Sequence, residues 1–230
     1  NEIAATPDRR VVVGGVGAFG IPSLDTDNAS LLVQSVNPLN VLLVSASASP
    51  HANDVGIKTH LEAAGHTVTV MDDNAVTTTN TLSFDVVYVS DTTSTSAIAN
   101  KLEDAAVPVV FAKSWVFDDN ELTPPCGSTN CGTTSSATTV NITNSTHPLA
   151  GGLSGTVTVV SPARSMSYGN PGTAATIIAT NPANSGRAVI FAYDTGDLLD
   201  DGQAAADRRV GLFMTKFQAG ITTTDGWVLF

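Results

Sequence analysis

Apolar residues recur along the chain as short unbroken runs, separated by stretches rich in Thr, Ser, Asn and Gly. Val41-Leu-Leu-Val44 is one such run, and four consecutive apolar positions mark a strand buried on both faces, as in a parallel sheet. Thr67-Val-Thr-Val-Met71, Phe84-Asp-Val-Val-Tyr-Val-Ser90 and Val107-Pro-Val-Val-Phe-Ala112 predict three more strands. Between the first two, Val55, Ile57, Leu61 and Ala64 lie near helical spacing and Gly65 supplies a C-terminal cap, which predicts a helix over 54–64. Residues 96–105 read as a second helix. Strands alternating with helices imply βαβ units. The predicted fold class is therefore α/β: a doubly wound, mostly parallel sheet with helices on both faces.

The pattern changes after Lys113. Residues 114–136 read as a loop or hairpin, followed by a β-rich insertion with strands at 138–142, 155–160 and 175–179. Arg187-Ala-Val-Ile-Phe-Ala-Tyr193 returns to a core strand, 209–214 reads as a strand or helix start, and 224–230 as a terminal helix. Ahead of the domain, residues 8–16 read as a strand and 26–36 as a capped amphipathic helix. This divides the chain into an N-terminal β-α arm, 1–39, and a domain, 40–230. Asp8-Arg9-Arg10-Val11 repeats Asp207-Arg208-Arg209-Val210, and both lead through Gly and apolar residues to a Thr/Asp helix entry. The arm thus resembles a second copy of the domain's last β-α element, a candidate exchange or assembly element.

Composition adds the surface and the setting. A hydrophobic share of 42% supports a sizeable core, whereas only 13% of residues are charged, so the surface is built from Thr, Ser, Asn and Gly. Ten basic residues against 21 acidic ones leave a net charge of -11, which excludes nucleic acid as a partner without a strong basic patch. The tightest basic clusters are only Arg9-Arg10 and Arg208-Arg209. No apolar stretch approaches the ~20 residues of a membrane-spanning helix. The chain starts at Asn1 rather than Met, which reads as a processed, exported protein. Cys126 and Cys131 stand in a turn-rich segment, Pro-Pro-Cys-Gly-Ser-Thr-Asn-Cys-Gly, and predict a small disulfide loop in an oxidising compartment. The competing redox or metal reading lacks a second Cys/His pair to complete four ligands. Asn28, Asn141 and Asn144 open glycosylation sequons. Together these features predict an extracellular or cell-surface protein.

From residue 40 onward the order of elements resembles the class I glutamine amidotransferase-like fold, including its ThuA-like relatives and modules of secreted proteins. The resemblance is carried by Asn40-Val-Leu-Leu-Val-Ser, His60-Leu-Glu-Ala-Ala-Gly-His-Thr-Val-Thr-Val and Phe84-Asp-Val-Val-Tyr-Val-Ser, and further by Thr146-His-Pro-Leu-Ala-Gly-Gly-Leu and Arg208-Arg-Val-Gly-Leu-Phe. It implies a flavodoxin-like α/β domain. It does not imply glutaminase activity, because the family's Gly-x-Cys-x-Gly elbow is missing from Val89-Ser-Asp-Thr and Phe111-Ala-Lys-Ser-Trp.

Four sets of residues offer chemistry. Ser114, His147 and Asp118 or Asp119 could assemble a nucleophile, base and orienting acid, although Ser114 lacks the glycine-flanked elbow. The hydroxyls of 45–53 follow a strand at its carboxyl end, where open α/β sheets place ligands, but carry no glycine fingerprint or lysine; capping by Ser49 or Asn53 is the plainer reading. His51, His60 and His66 fall on different faces. Of the acidic clusters (Asp25/Asp27, Asp72/Asp73, Asp118/Asp119), Asp194, Asp197, Asp200 and Asp201 form the best calcium candidate, without an EF-hand pattern. No cofactor is expected. The reading favoured by these features is a non-catalytic structural protein that self-associates as a filament, tube or layer subunit, through its arm. The rival is a secreted polysaccharide-binding accessory module or hydrolase-like enzyme.

Overall fold

The computed structural model describes residues 38–127 and 129–230. Residues 1–37 of the N-terminal arm lie outside the described residues, and with them the Asp8–Val11 copy, the 26–36 helix, Asp25, Asp27 and the Asn28 sequon. Strand β1 (Asn40–Ser45) leads into helix α1 (Ala52–Ala63) and returns as β2 (Thr67–Asp72). A single helical turn α2 (Thr78–Thr81), β3 (Val86–Val89), a second turn α3 (Thr95–Ile98) and β4 (Val109–Phe111) follow. The later chain is almost all strand: β5 (Cys131–Thr133), β6 (Thr139–Ile142), β7 (Gly155–Thr158), β8 (Ser167–Gly169), β9 (Thr176–Asn181), β10 (Asn184–Tyr193) and β11 (Arg209–Leu212), closed by α4 (Thr224–Val228). They form one sheet in the order β2-β1-β3-β4-β11-β10-β9-β6-β7, with β8 on β10 and β5 on β8.

The doubly wound, mostly parallel fold predicted from the sequence is therefore wrong. Four strand pairs are parallel (β1·β2, β1·β3, β3·β4, β4·β11) and six are antiparallel, so the sheet is mixed. The strands of 138–193 belong to that same sheet, where an insertion was expected. The helices on both faces are missing too: among the described residues only α1 exceeds five residues. The clearest case is 96–105. Ile98, Leu102 and Ala105 have helical spacing and all three are fully buried, yet the helix stops at Ile98. Ala99 turns to φ 41, and Asn120 Nδ2 donates to its carbonyl (2.8 Å) and to that of Val116 (2.8 Å), holding the break from outside. Burial follows the apolar pattern, while the backbone yields to the competing hydrogen bond from Asn120. Residues 114–136, expected to be loop or hairpin, contain a 3-10 turn over Ser114–Val116 and strand β5.

Alternation along β1 sorts the core between the two faces. Val41 and Leu43 pack with Ile57 of α1 and Leu229 after α4. Leu42 and Val44 face Ile98, Leu102, Phe111, Val116 and Phe117. In β10, Val189 and Ile190 both join the first layer because the register against β9 slips there, as an extra bulge residue requires. His60 stacks on Trp227 (centroids 3.8 Å apart) and fastens α1 to α4.

The missing helix between β3 and β4 leaves backbone carbonyls without intrahelical donors. Arg209, fully buried at the start of β11, supplies them. Its Nη2 donates to Glu103 O (2.8 Å) and Ala105 O (2.6 Å), and its Nη1 to Val107 O (3.2 Å), Asp207 O (3.1 Å) and Arg208 O (3.3 Å). Burial lowers its pKa to about 10, so it stays a cation at neutral pH. Replacing it with Met should cost about 3–5 kcal/mol, as loss of a buried charged network does. Guanidinium chloride unfolding should show a lower midpoint at unchanged slope. Arg209→Lys should recover only part of the loss, since one ammonium cannot span five carbonyls.

Candidate functional site

Parallel strands β1 and β3 end side by side, and their carboxyl ends form the crevice where an open α/β sheet would place chemistry. Ser45 closes β1 and Ser90 follows β3. Asp54, in the first turn of α1, is fully buried between them. Its carboxylate accepts from Ser45 Oγ (2.6 Å), Ser90 Oγ (2.5 Å) and Thr92 Oγ1 (2.6 Å). Neighbouring Asn53 is committed as well, with Oδ1 accepting from the backbone of Gln218 (3.2 Å) and Ala219 (2.9 Å). On the rim, Asp91 accepts from Lys216 N (3.0 Å) and lies 3.7 Å from Lys113 Nζ. Burial raises the Asp91 pKa against the pull of those two lysines. Every carboxylate in this crevice is held by a donor of the chain itself.

The helix is not capped by Ser49 or Asn53 as the sequence implied. His51 is the N-cap, its Nδ1 accepting from Asn53 N (3.1 Å). His66 Nδ1 accepts from Leu39 N (3.2 Å), and His60 sits under Trp227, so the three histidines have separate structural roles. No hydrogen bond links the residues considered for a Ser/His/Asp set. Ser114 is fully buried with its hydroxyl unpartnered. His147 caps a 3-10 turn by accepting from Leu149 N (3.2 Å), and Asp118 accepts from Cys126 N (2.9 Å). Cys126 and Cys131 form the expected disulfide. Asn141 lies in β6, its Oδ1 3.5 Å from Thr156 Oγ1, and Asn144 in the turn beyond, its Oδ1 accepting from Thr146 Oγ1 (3.0 Å).

The four calcium candidates do not converge. Asp194 pairs with Arg208 (2.6 Å), Asp197 accepts from Asp194 N (2.8 Å), and Asp201 accepts from Gln203 N (2.9 Å). Asp200 instead lines a cavity of about 360 Å³ together with Glu103, Asp118, Asp119 and Glu121. Three segments build this cavity: the turn held by Arg209, the excursion after β4, and the loop after β10. Asp200 N donates to Glu121 O (2.9 Å) and joins the last two. Among the described residues no ion pair reaches these five carboxylates. Burial raises the pKa of Asp119, with Asp118 adding to it, and burial together with Asp201, Glu103, Asp200 and Asp118 raises that of Glu121. The Asp118-Asp119-Asn120-Glu121 run was visible in the sequence. Glu103 and Asp200 join it only because β4 and β10 flank β11.

These raised values set the sign of three contributions. Asp91, Asp119 and Glu121 hold their protons to higher pH when folded than when unfolded, so at these three groups the native state binds more protons and their contribution to stability falls as pH rises through the acid range. Melting curves should show the Glu121→Gln and Asp119→Asn double variant gaining on the parent protein from about pH 4 to about pH 6. A constant difference between the two across that range would contradict the assignment.

The sequence matches no protein-family model and no curated protein.

Proposed function

We propose that this chain is a non-catalytic structural protein of the extracellular space that associates with copies of itself, as the subunit of a filament, tube or layer, through its N-terminal arm. The observation that carries this reading is the crevice at the ends of β1 and β3. Its one fully buried carboxylate, Asp54, is taken up by three hydroxyls of the fold, so the residues act as a clasp between strands and helix. The disulfide favours an oxidising compartment. The strand ends after β3 and β4 hold the clasped Ser90 and the buried Ser114, neither of them an exposed nucleophile.

The arm carries the self-association. Asp8-Arg9-Arg10-Val11 repeats the start of β11, a strand that pairs on both sides in this sheet. Among the described residues the sheet ends at β2 and β7, and β7 is mostly exposed. An added strand from a second copy would satisfy such an edge, and a head-to-tail contact of that kind propagates. Removing residues 1–37 should convert large assemblies to monomers, read by light scattering and electron microscopy. Assemblies of unchanged size would rule out the arm.

One observation favours the rival reading of a polysaccharide-binding module. Trp115 and Phe217 are both well exposed (45% and 60%) on segments that follow the neighbouring strands β4 and β11. Pull-down on insoluble polysaccharides distinguishes the two: retention lost in Trp115→Ala and Phe217→Ala would support sugar binding, and no retention by the parent chain would support assembly alone.

A further inference from the structure

A cavity of about 260 Å³ opens at the β9-β10 hairpin, lined by Ser135, Ser136, Asn181, Asn184 and Arg187. Strand pairing sets Arg187 apart. Asn184 pairs with Asn181 and the next pair is Ala188 with Thr180, so residues 185–187 have no counterpart in β9. A bulge of this kind re-aims side chains, and the Arg187 guanidinium lies over the Tyr168 ring of β8, 4.4 Å from its centre. The ring attracts the cation. Among the described residues Arg187 has no hydrogen bond and no ion pair, although acidic residues outnumber basic ones 21 to 10 in the chain.

Two amides extend this set of free donors. Asn181 Oδ1 accepts from Ala183 N (2.7 Å) and Asn184 Oδ1 from Gly186 N (3.1 Å). A backbone N–H can only donate, so each bond uses the amide oxygen and leaves Nδ2 as the free end. Asn181 is an independent pointer to a ligand. It lines the cavity at 7% exposure, and its Nδ2 has no partner among the described residues yet is not sealed from solvent.

We propose that this cavity binds a small hydroxycarboxylate, of the size of one uronic acid unit, with the carboxylate on Arg187 and the hydroxyls on Asn181, Asn184, Ser135 and Ser136. A guanidinium presents the planar fork that pairs both oxygens of a carboxylate. No other Lys or Arg lines the cavity, so a doubly charged sulfate or phosphate meets one cation where it needs two. The volume lies just under the roughly 300 Å³ at which pockets for drug-sized ligands begin, which suits a single ring. The net charge of -11 opposes an anion mainly at long range, where screening over about 8 Å at physiological salt weakens it. The site uses neither the N-terminal arm nor Trp115 and Phe217, and it does not depend on self-association.

Titration calorimetry of the full chain with sodium D-galacturonate, D-galactose and sodium sulfate, at constant ionic strength, tests it. Galacturonate should bind at one site with a Kd of about 10⁻³ M. Galactose, which lacks the carboxylate, and sulfate should bind about tenfold more weakly or not at all. Arg187→Gln should abolish binding, and Arg187→Lys should restore only part of it, since an ammonium lacks the fork. Arg164→Gln, outside the cavity, should leave the Kd unchanged. Should Arg187→Gln fail to fold, Asn184→Ala, at an exposed position, should weaken binding about threefold to tenfold. Trigalacturonate binding more tightly than the monomer makes a polymer the source of the unit, and equal affinity makes it the free acid; both support the site. No saturable binding of galacturonate up to about 20 mM, galactose or sulfate binding as tightly, or parent-like binding by folded Arg187→Gln or Asn184→Ala would overturn the proposal.

Discussion

One guanidinium fastens the middle of this sheet to the turns that cross it. A parallel pair is ordinarily crossed by a helix that satisfies its own backbone. Between β3 and β4 the chain instead makes a single helical turn and then a run of tight turns. Such a segment is dry on its inner side, with Leu102 and Ala105 fully buried, so its carbonyls need donors that water cannot provide. Arg209 provides them from the first residue of β11, about a hundred positions away. The same contact seats β11 beside β4 and fixes where Glu103 stands. Core, sheet centre and acidic cavity share this one dependency.

The two polar regions are solved in opposite ways. At the ends of β1 and β3, Asp54 is surrounded by donors placed by two strands and a loop, and the network closes on itself. Closed networks of this kind specify a fold and leave little for a substrate. At the acidic cavity the carboxylates are gathered by backbone contacts, as when Asp200 N bonds Glu121 O, and not by opposite charges. Glu121 also adopts φ 58, a left-handed conformation that costs a residue with a side chain about 1–2 kcal/mol. The first region closes on hydroxyl donors; the second gathers carboxylates that no lysine or arginine of the described residues pairs.

Much of the strand content was legible because an unbroken apolar run states burial on both faces whatever its neighbours do. Val41–Val44, Val86–Val89 and the second half of β10 are all strands as read. The helices over 54–64 and 224–230 were read correctly, whereas the one over 96–105 was misread for a definite reason. Ile98, Leu102 and Ala105 are spaced as a helix would space them, but buried turns can place three side chains in one layer too. The agent that stops the helix, Asn120, is remote in sequence. β5 and β8 were missed because each has three residues and pairs only with the other or with a single position of β10. At the site, neighbours in sequence such as Asp118 and Asp119 could be read together, whereas Asp54 with Ser90, or Glu103 with Asp200, meet only through strand order.

Strand order also governs how the molecule comes into being. β11 is the last strand in the chain and lies in the middle of the sheet, between β4 and β10. Until residue 212 has left the ribosome, those two strands face each other across an unfilled slot, each with an open edge. The parallel half, β1 to β4, and the antiparallel half, β6 to β10, are therefore synthesised one after the other, and within the strand order a single short strand joins them. Closing that slot requires contacts of very long sequence separation, which makes folding slow and leaves exposed edges in the interval. The centre of the sheet is the last part to be synthesised.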